Sequence, residues 1–118
     1  MGYNYLTQQA HSDKNNIQVG ATNLLITLEL KEGYAPLNIS LATVKNIIIE
    51  KPDDTLIISS GSFITDGSDG LLYYRTNGSD INLAGVYNVQ AYLVMPDFTG
   101  YSTPVSFTAY ANLPLDNN

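Results

Sequence analysis

Few residues in this sequence have the type and spacing that catalysis needs. His11 is the only histidine, and it lies in a polar stretch around which no apolar pocket can be inferred. A Ser-His-Asp site would have to recruit this one ring, and no Gly-x-Ser-x-Gly motif supplies a nucleophilic serine. A solvated side chain is therefore the favoured interpretation of His11. The sequence predicts no catalytic residue and no enzyme activity.

Paired carboxylates occur at Asp53 and Asp54 and again at Asp66 and Asp69. Both pairs lie beside Pro or Gly, where Asp is favoured because its side chain bonds to nearby backbone N–H groups. The second pair lacks the alternating carboxylates of a calcium loop, and Asn77 stands where that loop has its final Glu. The chain also has no cysteine. We therefore predict two turns here, with no metal site and no cofactor.

The charge of the chain limits the partners it can bind. Five Lys and Arg face eleven Asp and Glu, a net charge of −6. This sign repels phosphate backbones and anionic lipid surfaces. No apolar run approaches the ~20 residues that span a bilayer, and no cleavable signal is predicted at the N-terminus. Nucleic acid and membrane are therefore not expected as partners.

The chain has nine tyrosines and no tryptophan. Tyrosine is therefore the large aromatic side chain that could recognise a partner. Tyr92 and Tyr110 fall on the strand parity opposite to the apolar residues around them. Exposed tyrosines suit protein interfaces and sugar-binding faces, because a rigid ring gives contact area and its hydroxyl stays solvated. Ordinary cross-strand pairs on the wet side of a sheet are the alternative. We predict both residues as candidate partner contacts.

The segment 83–95 is the element around which the others must pack. Its residues of one parity are mostly apolar, which predicts a strand with one buried face; they are Tyr87, Val89, Ala91, Leu93 and Met95. The entry Gly85-x-Tyr87 resembles the corner of immunoglobulin-like sandwiches, in which the Tyr hydroxyl bonds to backbone just upstream. We expect that contact near Asn82 or Leu83.

Other segments alternate in the same way, and turn residues separate them every 8 to 12 residues. Segment 44–51 should form a hairpin with 55–59, although three consecutive isoleucines hide which parity of the first strand faces inward. No segment has helical periodicity. The predicted fold is all-β: a single immunoglobulin-like antiparallel β-sandwich of about seven strands. Its predicted core consists of Ile26, Leu28, Leu72, Tyr74, Val89, Ala91, Leu93, Val105 and Phe107.

The two ends of the chain are too polar to bury. We predict an extended N-terminal arm at 1–16, the sandwich domain at 17–111 and a C-terminal tail at 112–118. Tyr3, Tyr5 and Leu6 form a small apolar tip on the arm. This tip is a further candidate partner contact.

The order of features from 24 to 110 resembles small immunoglobulin-like structural proteins of tailed bacteriophages, in particular the N-terminal domain of the upper baseplate protein family. Asp54 stands where the family has Gly, and the Asp of an Asp-Leu pair before the second strand is absent. The matching segments are 31–33, 37–41, Lys51-Pro52-Asp53-Asp54, 70–74, Gly85-Val86-Tyr87 and Ser102-Thr103-Pro104.

The resemblance implies a non-enzymatic structural or adaptor protein of the virion, in the tail or baseplate. Such a protein acts through contacts with other virion proteins in a symmetric multi-copy assembly and is made in the host cytoplasm. A capsid decoration protein is one alternative. The other is a carbohydrate-binding module that recognises a bacterial surface glycan through exposed aromatic side chains.

Overall fold

The described part of the chain consists of strands and connections, without a helix. A computed structural model describes residues 5–10, as backbone, and 17–113. The eleven strands are β1 (Tyr5–Ala10), β2 (Ile17–Gln18), β3 (Leu25–Glu32), β4 (Ala35–Pro36), β5 (Val44–Glu50), β6 (Leu56–Ser60), β7 (Ser62–Phe63), β8 (Leu71–Arg75), β9 (Gly85–Met95), β10 (Phe98–Tyr101) and β11 (Val105–Tyr110).

The strands form two sheets that pack as an immunoglobulin-like β-sandwich. The first sheet has the order β1-β3-β8-β7, with β4 also on β3. The second has the order β2-β11-β9-β5-β6, with β10 also on β9. All pairs are antiparallel except β2 with β11. The predicted fold class is confirmed, and the strand number exceeds seven because several short strands extend the edges.

Strand β9 lies at the centre of the second sheet and supplies much of the core. Its odd-numbered residues from 87 to 95 are buried, as the alternation predicted. In β5 the inward residues are Ile47 and Ile49, which stand opposite Ala91 and Val89 in the ladder. The register with β9 therefore shows that the odd-numbered residues of this isoleucine run face the core, which the sequence had left open.

Seven of the nine predicted core residues are buried, which confirms the pattern. Tyr74 and Val105 are only partly buried and pack against the cluster. The core also contains residues from connections, among them Leu37, Ile39 and Ile81. Strand alternation could not indicate these three, because they lie outside the strands.

Tyr87 forms the corner at the start of β9. Its ring is fully buried and stacks on Phe107, with 4.9 Å between ring centroids. The Tyr87 hydroxyl donates to the Leu83 carbonyl at 2.7 Å and accepts from the Leu83 N–H at 3.2 Å. Gly85 between them has φ 136°, and a Cβ there would lie 2.9 Å from Pro52 Cγ. The motif Gly85-x-Tyr87 therefore produces the predicted contact, and the corner requires glycine at its first position.

The connection from β8 to β9 crosses between the sheets. Asp80 is buried there and accepts hydrogen bonds from the Tyr74 hydroxyl and from the Asn77 N–H. Burial and the Asp80 carboxylate together raise the pKa of Tyr74 to about 12. The hydroxyl of Tyr74 therefore stays protonated and holds the crossing in place at neutral pH.

Both predicted terminal segments are partly joined to the sandwich. Strand β1 pairs with β3 over six consecutive residues, so this part of the arm, expected outside the core, extends the first sheet. An edge strand can be polar because backbone hydrogen bonds attach it. At the other end, Asn112 hydrogen bonds to Gln18 and to the Val19 carbonyl. The arm tip falls outside what the structure describes: Tyr3 entirely, and Tyr5 and Leu6 as side chains.

Candidate functional site

The outward surface of the second sheet contains a shallow depression, and we call this surface the outer face. Side chains of β5, β6 and β9 with even residue numbers point to it, because successive residues of a strand point to opposite sides of a sheet. The depression has a volume of 610 Å³. Its lining residues are Ile48, Glu50, Leu56, Ile58, Asn88, Gln90, Tyr101 and Pro104.

Two rows of the ladder form the floor of the depression. In one row Glu50 stands between Leu56 and Asn88. In the next row Ile48 stands between Ile58 and Gln90. Each row therefore runs from an apolar side chain on the edge strand β6 to an amide on β9.

The amides of the floor are held by hydrogen bonds. Asn88 Nδ2 donates to Glu50 Oε1 at 3.0 Å. Gln90 Nε2 donates to the carbonyl of Ser102 at 2.8 Å. Since one amide is fixed to β5 and the other to the connection between β10 and β11, the polar floor is organised before any partner binds.

The buried Ser102 separates β10 from β11 along the same side of β9. Its Oγ accepts from the Ala91 N–H at 2.9 Å, and its own N–H donates to the Ala91 carbonyl at 2.9 Å. Strand β10 pairs with β9 before Ser102, and β11 pairs with β9 after it.

Strand β10 provides the aromatic wall of the depression. Tyr101 is 60% exposed and stands opposite Tyr92, with 4.9 Å between the ring centroids and 48° between the ring planes. Pro104 continues this wall toward β11. Tyr101 was not predicted as a contact because the strand β10 was not predicted. The two-residue turn Pro96-Asp97, which closes a hairpin, could have indicated that a strand follows it.

Strand β6 provides the opposite wall, which is aliphatic. Leu56 and Ile58 are 56% and 61% exposed, large fractions for aliphatic side chains that stand next to each other on one face. Both residues were predicted in a hairpin but not as partner contacts. The sequence feature that could have indicated them is a strand without charged residues. Proteins usually protect a strand at a sheet edge with Lys, Pro or a bulge.

The β5–β6 turn adds negative charge at one end of the depression. Asp53 accepts hydrogen bonds from the side chain and the backbone N–H of Thr55, and these bonds lower its pKa. Lys51 Nζ donates to the Ser79 carbonyl and to Asn82 Oδ1, and its charge also lowers the pKa of Asp53. Within the described residues, Glu50, Asp53 and Asp54 form no ion pair with Lys or Arg. Three acidic residues and one lysine therefore leave this end of the second sheet with a net negative charge.

The predicted pair of tyrosine contacts does not form one surface. Tyr92 and Tyr110 both point away from the core, and Tyr110 is 48% exposed. However, Ala109 pairs with Gly85, so Tyr110 lies near the beginning of β9 while Tyr92 lies near its end. Eight positions along a strand correspond to about 26 Å. Shared parity predicted a common side of the sheet, but the register separates the two rings.

The carboxylates of 66–69 serve the local turn. Asp66 Oδ1 accepts from the backbone N–H and the hydroxyl of Ser68, and Asp69 accepts from the Leu71 N–H and the Thr65 hydroxyl. Across residues 17–113 no group of three or more His, Cys, Asp or Glu could hold a metal ion. His11 lies outside the described residues. The same part of the chain contains no helix that could span a membrane.

Comparisons with known proteins find similarity to solved structures but no match by sequence. No family model matches the chain, and no curated protein matches its sequence. Among solved structures, CopC from Methylosinus trichosporium OB3b matches with a TM-score of 0.58 and 15% sequence identity. The match covers 95% of this chain and 100% of that chain. At this identity the likeness shows the shared β-sandwich fold.

The comparison corrects the function predicted from sequence. The match is to CopC and not to a phage structural protein, and the predicted structural role in a phage particle is wrong. The predicted virion location and multi-copy assembly depended on that role and have no support. The segments behind that function are turns and strand entries that many immunoglobulin-like sandwiches share, so they indicate a fold and not a role.

Proposed function

We propose that this chain is a non-enzymatic binding module that holds a partner protein on the outer face. The observation that carries the proposal is the depression itself, with two exposed aliphatic side chains on one wall and an exposed tyrosine on the other. Leu56, Ile58 and Tyr101 are each more than half exposed, although they line a single concave site.

The composition of the outer face supports a protein partner. Protein interfaces combine apolar and aromatic side chains at the centre with polar groups at the rim. Here the apolar walls flank two fixed amides, and the carboxylate of Glu50 accepts a hydrogen bond from one of them. Tyr101 is of the residue type that most often dominates binding energy.

Copper binding is the function that the name of the structural neighbour suggests, but the residues of this chain do not favour it. Copper sites use His, Cys and Met as soft or borderline ligands. The chain has one histidine, no cysteine and two methionines, and one of the latter, Met95, is buried in the core. The described residues supply no cluster of such ligands.

Photo-crosslinking in the cells that make the protein tests the proposal. A photoreactive amino acid is placed at Tyr101 or Ile58, and in the matched control at Tyr73, which faces outward from the first sheet. We expect one defined adduct from both outer-face positions and none from Tyr73. Identification of the adduct by mass spectrometry then gives the partner.

Two results would contradict the proposal. Adducts at Tyr73 that equal those at Tyr101 would show non-specific contact with the whole surface. An adduct from the control position alone would assign binding to the first sheet.

A further inference from the structure

The edge of the second sheet carries unpaired backbone groups. Strand β6 is the last strand in that sheet and pairs only with β5 among the described residues. Its sequence Leu56-Ile57-Ile58-Ser59-Ser60 contains no charge and no proline. The charged and proline residues that often block an edge strand are therefore absent from β6 itself.

The ladder shows which residues of β6 face the open side. Lys51 N donates to the Thr55 carbonyl at 2.8 Å, and Gly61 N donates to the Lys45 carbonyl at 2.7 Å. In an antiparallel pair, residues that direct their N–H and C=O groups to the partner alternate with residues that direct them away. Odd-numbered residues of β6 thus bond to β5, whereas Leu56, Ile58 and Ser60 direct theirs outward.

The same three residues also turn their side chains to the outer face. Leu56, Ile58 and Ser60 are all exposed. A strand added beside β6 would therefore bond to their backbone groups and pack its own side chains against Leu56 and Ile58. Backbone bonds and side-chain contacts would act together, as in other cases of strand addition.

The charge at the end of β6 selects the occupant. Asp53 and Asp54 lie in the turn before the strand, separated from it by Thr55, and Glu50 stands opposite Leu56. None of the three has an ion-pair partner within the described residues. A second copy of this chain would bring another charge of −6, whereas a basic segment would complement the cluster.

We propose that β6 accepts an extended segment of the partner protein as an added antiparallel strand. The segment has alternating apolar residues and one or two basic residues at its C-terminal end. In the antiparallel orientation that end lies beside the β5–β6 turn, so Lys or Arg meets Asp53 and Asp54. The inference rests on the proposed function and specifies how the outer face holds its partner.

Amide hydrogen exchange of the 15N-labelled chain tests the inference directly. In the free protein we expect fast exchange at Leu56, Ile58 and Ser60 and slow exchange at Ile57 and Ser59. The probe is the synthetic peptide Thr-Val-Thr-Val-Thr-Lys-Lys. At ten times its Kd it should slow the three outward amides about tenfold, while the two inward amides change little. The matched peptide ending in Glu-Glu should bind more weakly, and added NaCl should reduce the difference.

Two variants separate backbone pairing from side-chain contact. Ile58→Pro removes an outward N–H and leaves the bonds to β5, a place where a sheet tolerates proline. Ile58→Thr keeps the N–H and removes apolar surface. We expect peptide affinity to fall about tenfold or more for the proline variant and about threefold for the threonine variant. Retained chemical shifts of core residues establish that each variant is folded.

Several outcomes would overturn the inference. Slow exchange of the outward amides in the free chain would mean that the edge is already covered, and protection that rises with protein concentration would identify a second copy as occupant. Absence of peptide binding, or equal losses for both variants, would exclude backbone pairing. If the crosslinked partner still binds Ile58→Pro but fails to bind Tyr101→Ala, strand addition is wrong while the proposed function stands. The wild-type exchange experiment decides the matter even if the proline variant does not fold.

Discussion

Removing one hydroxyl from the corner at the start of β9 should destabilise the whole domain. Tyr87→Phe keeps the buried ring and its stacking on Phe107 but leaves the carbonyl and N–H of Leu83 without their partner. One net hydrogen bond contributes about 1 kcal/mol, and a group left unpaired in a partly buried site costs about 1–3 kcal/mol. The expected loss of unfolding free energy is therefore about 1–3 kcal/mol.

Urea unfolding followed by circular dichroism measures this loss. The matched control is Tyr110→Phe, whose hydroxyl is at an exposed position and whose removal should change stability by less than about 0.5 kcal/mol. The slope of free energy against urea should stay the same in both variants, because neither changes the surface exposed on unfolding. If Tyr87→Phe is as stable as the control, the hydroxyl contact does not hold the corner and the reasoning is refuted.

Three further perturbations probe the core, the crossing and one turn. Leu93→Ala should cost about 2–5 kcal/mol in chemical unfolding because Leu93 is 1% exposed, and a cost below about 1 kcal/mol would contradict its place in the core. The pKa of Tyr74 is raised in the folded state to about 12, so its contribution is complete below about pH 10 and is lost as pH rises through 12. Wild type should therefore lose about 1–2 kcal/mol more than Tyr74→Phe between those values, and parallel pH profiles would contradict the assignment. Gly70→Ala should cost about 3 kcal/mol or more, since φ is +76° and the added Cβ would clash with the Leu30 carbonyl oxygen. Gly78→Ala, where the added Cβ meets open space, should be nearly neutral.

Alternation within strands made the fold predictable from sequence. The odd-numbered residues of β9 specify one buried face, and a buried face requires a second sheet. Alternation carries no information where every residue is apolar, so the inward side of 47–49 emerged only from the ladder with β9. Connections have no regular alternation, so the burial of Leu37, Ile39 and Ile81 was not predicted.

The candidate site was less predictable because it depends on register. Leu56, Asn88 and Tyr101 are distant in sequence and meet through pairings between four strands. Parity alone grouped Tyr92 with Tyr110, two rings that the register places at opposite ends of β9. A side of a sheet can be read from sequence, whereas a position along it requires the pairing partners.

The affinity of the crosslinked partner for two matched variants tests the central claim most directly. Tyr101→Ala removes the aromatic wall of the outer face, and Tyr73→Ala removes a tyrosine from the outward side of the first sheet. Isothermal titration with the purified partner should show a loss of about tenfold or more for Tyr101→Ala, equivalent to about 1.4 kcal/mol, and an unchanged Kd for Tyr73→Ala. Unchanged affinity for Tyr101→Ala together with a loss for Tyr73→Ala would show that the partner binds the first sheet, and the assignment of the outer face as the binding site would be wrong.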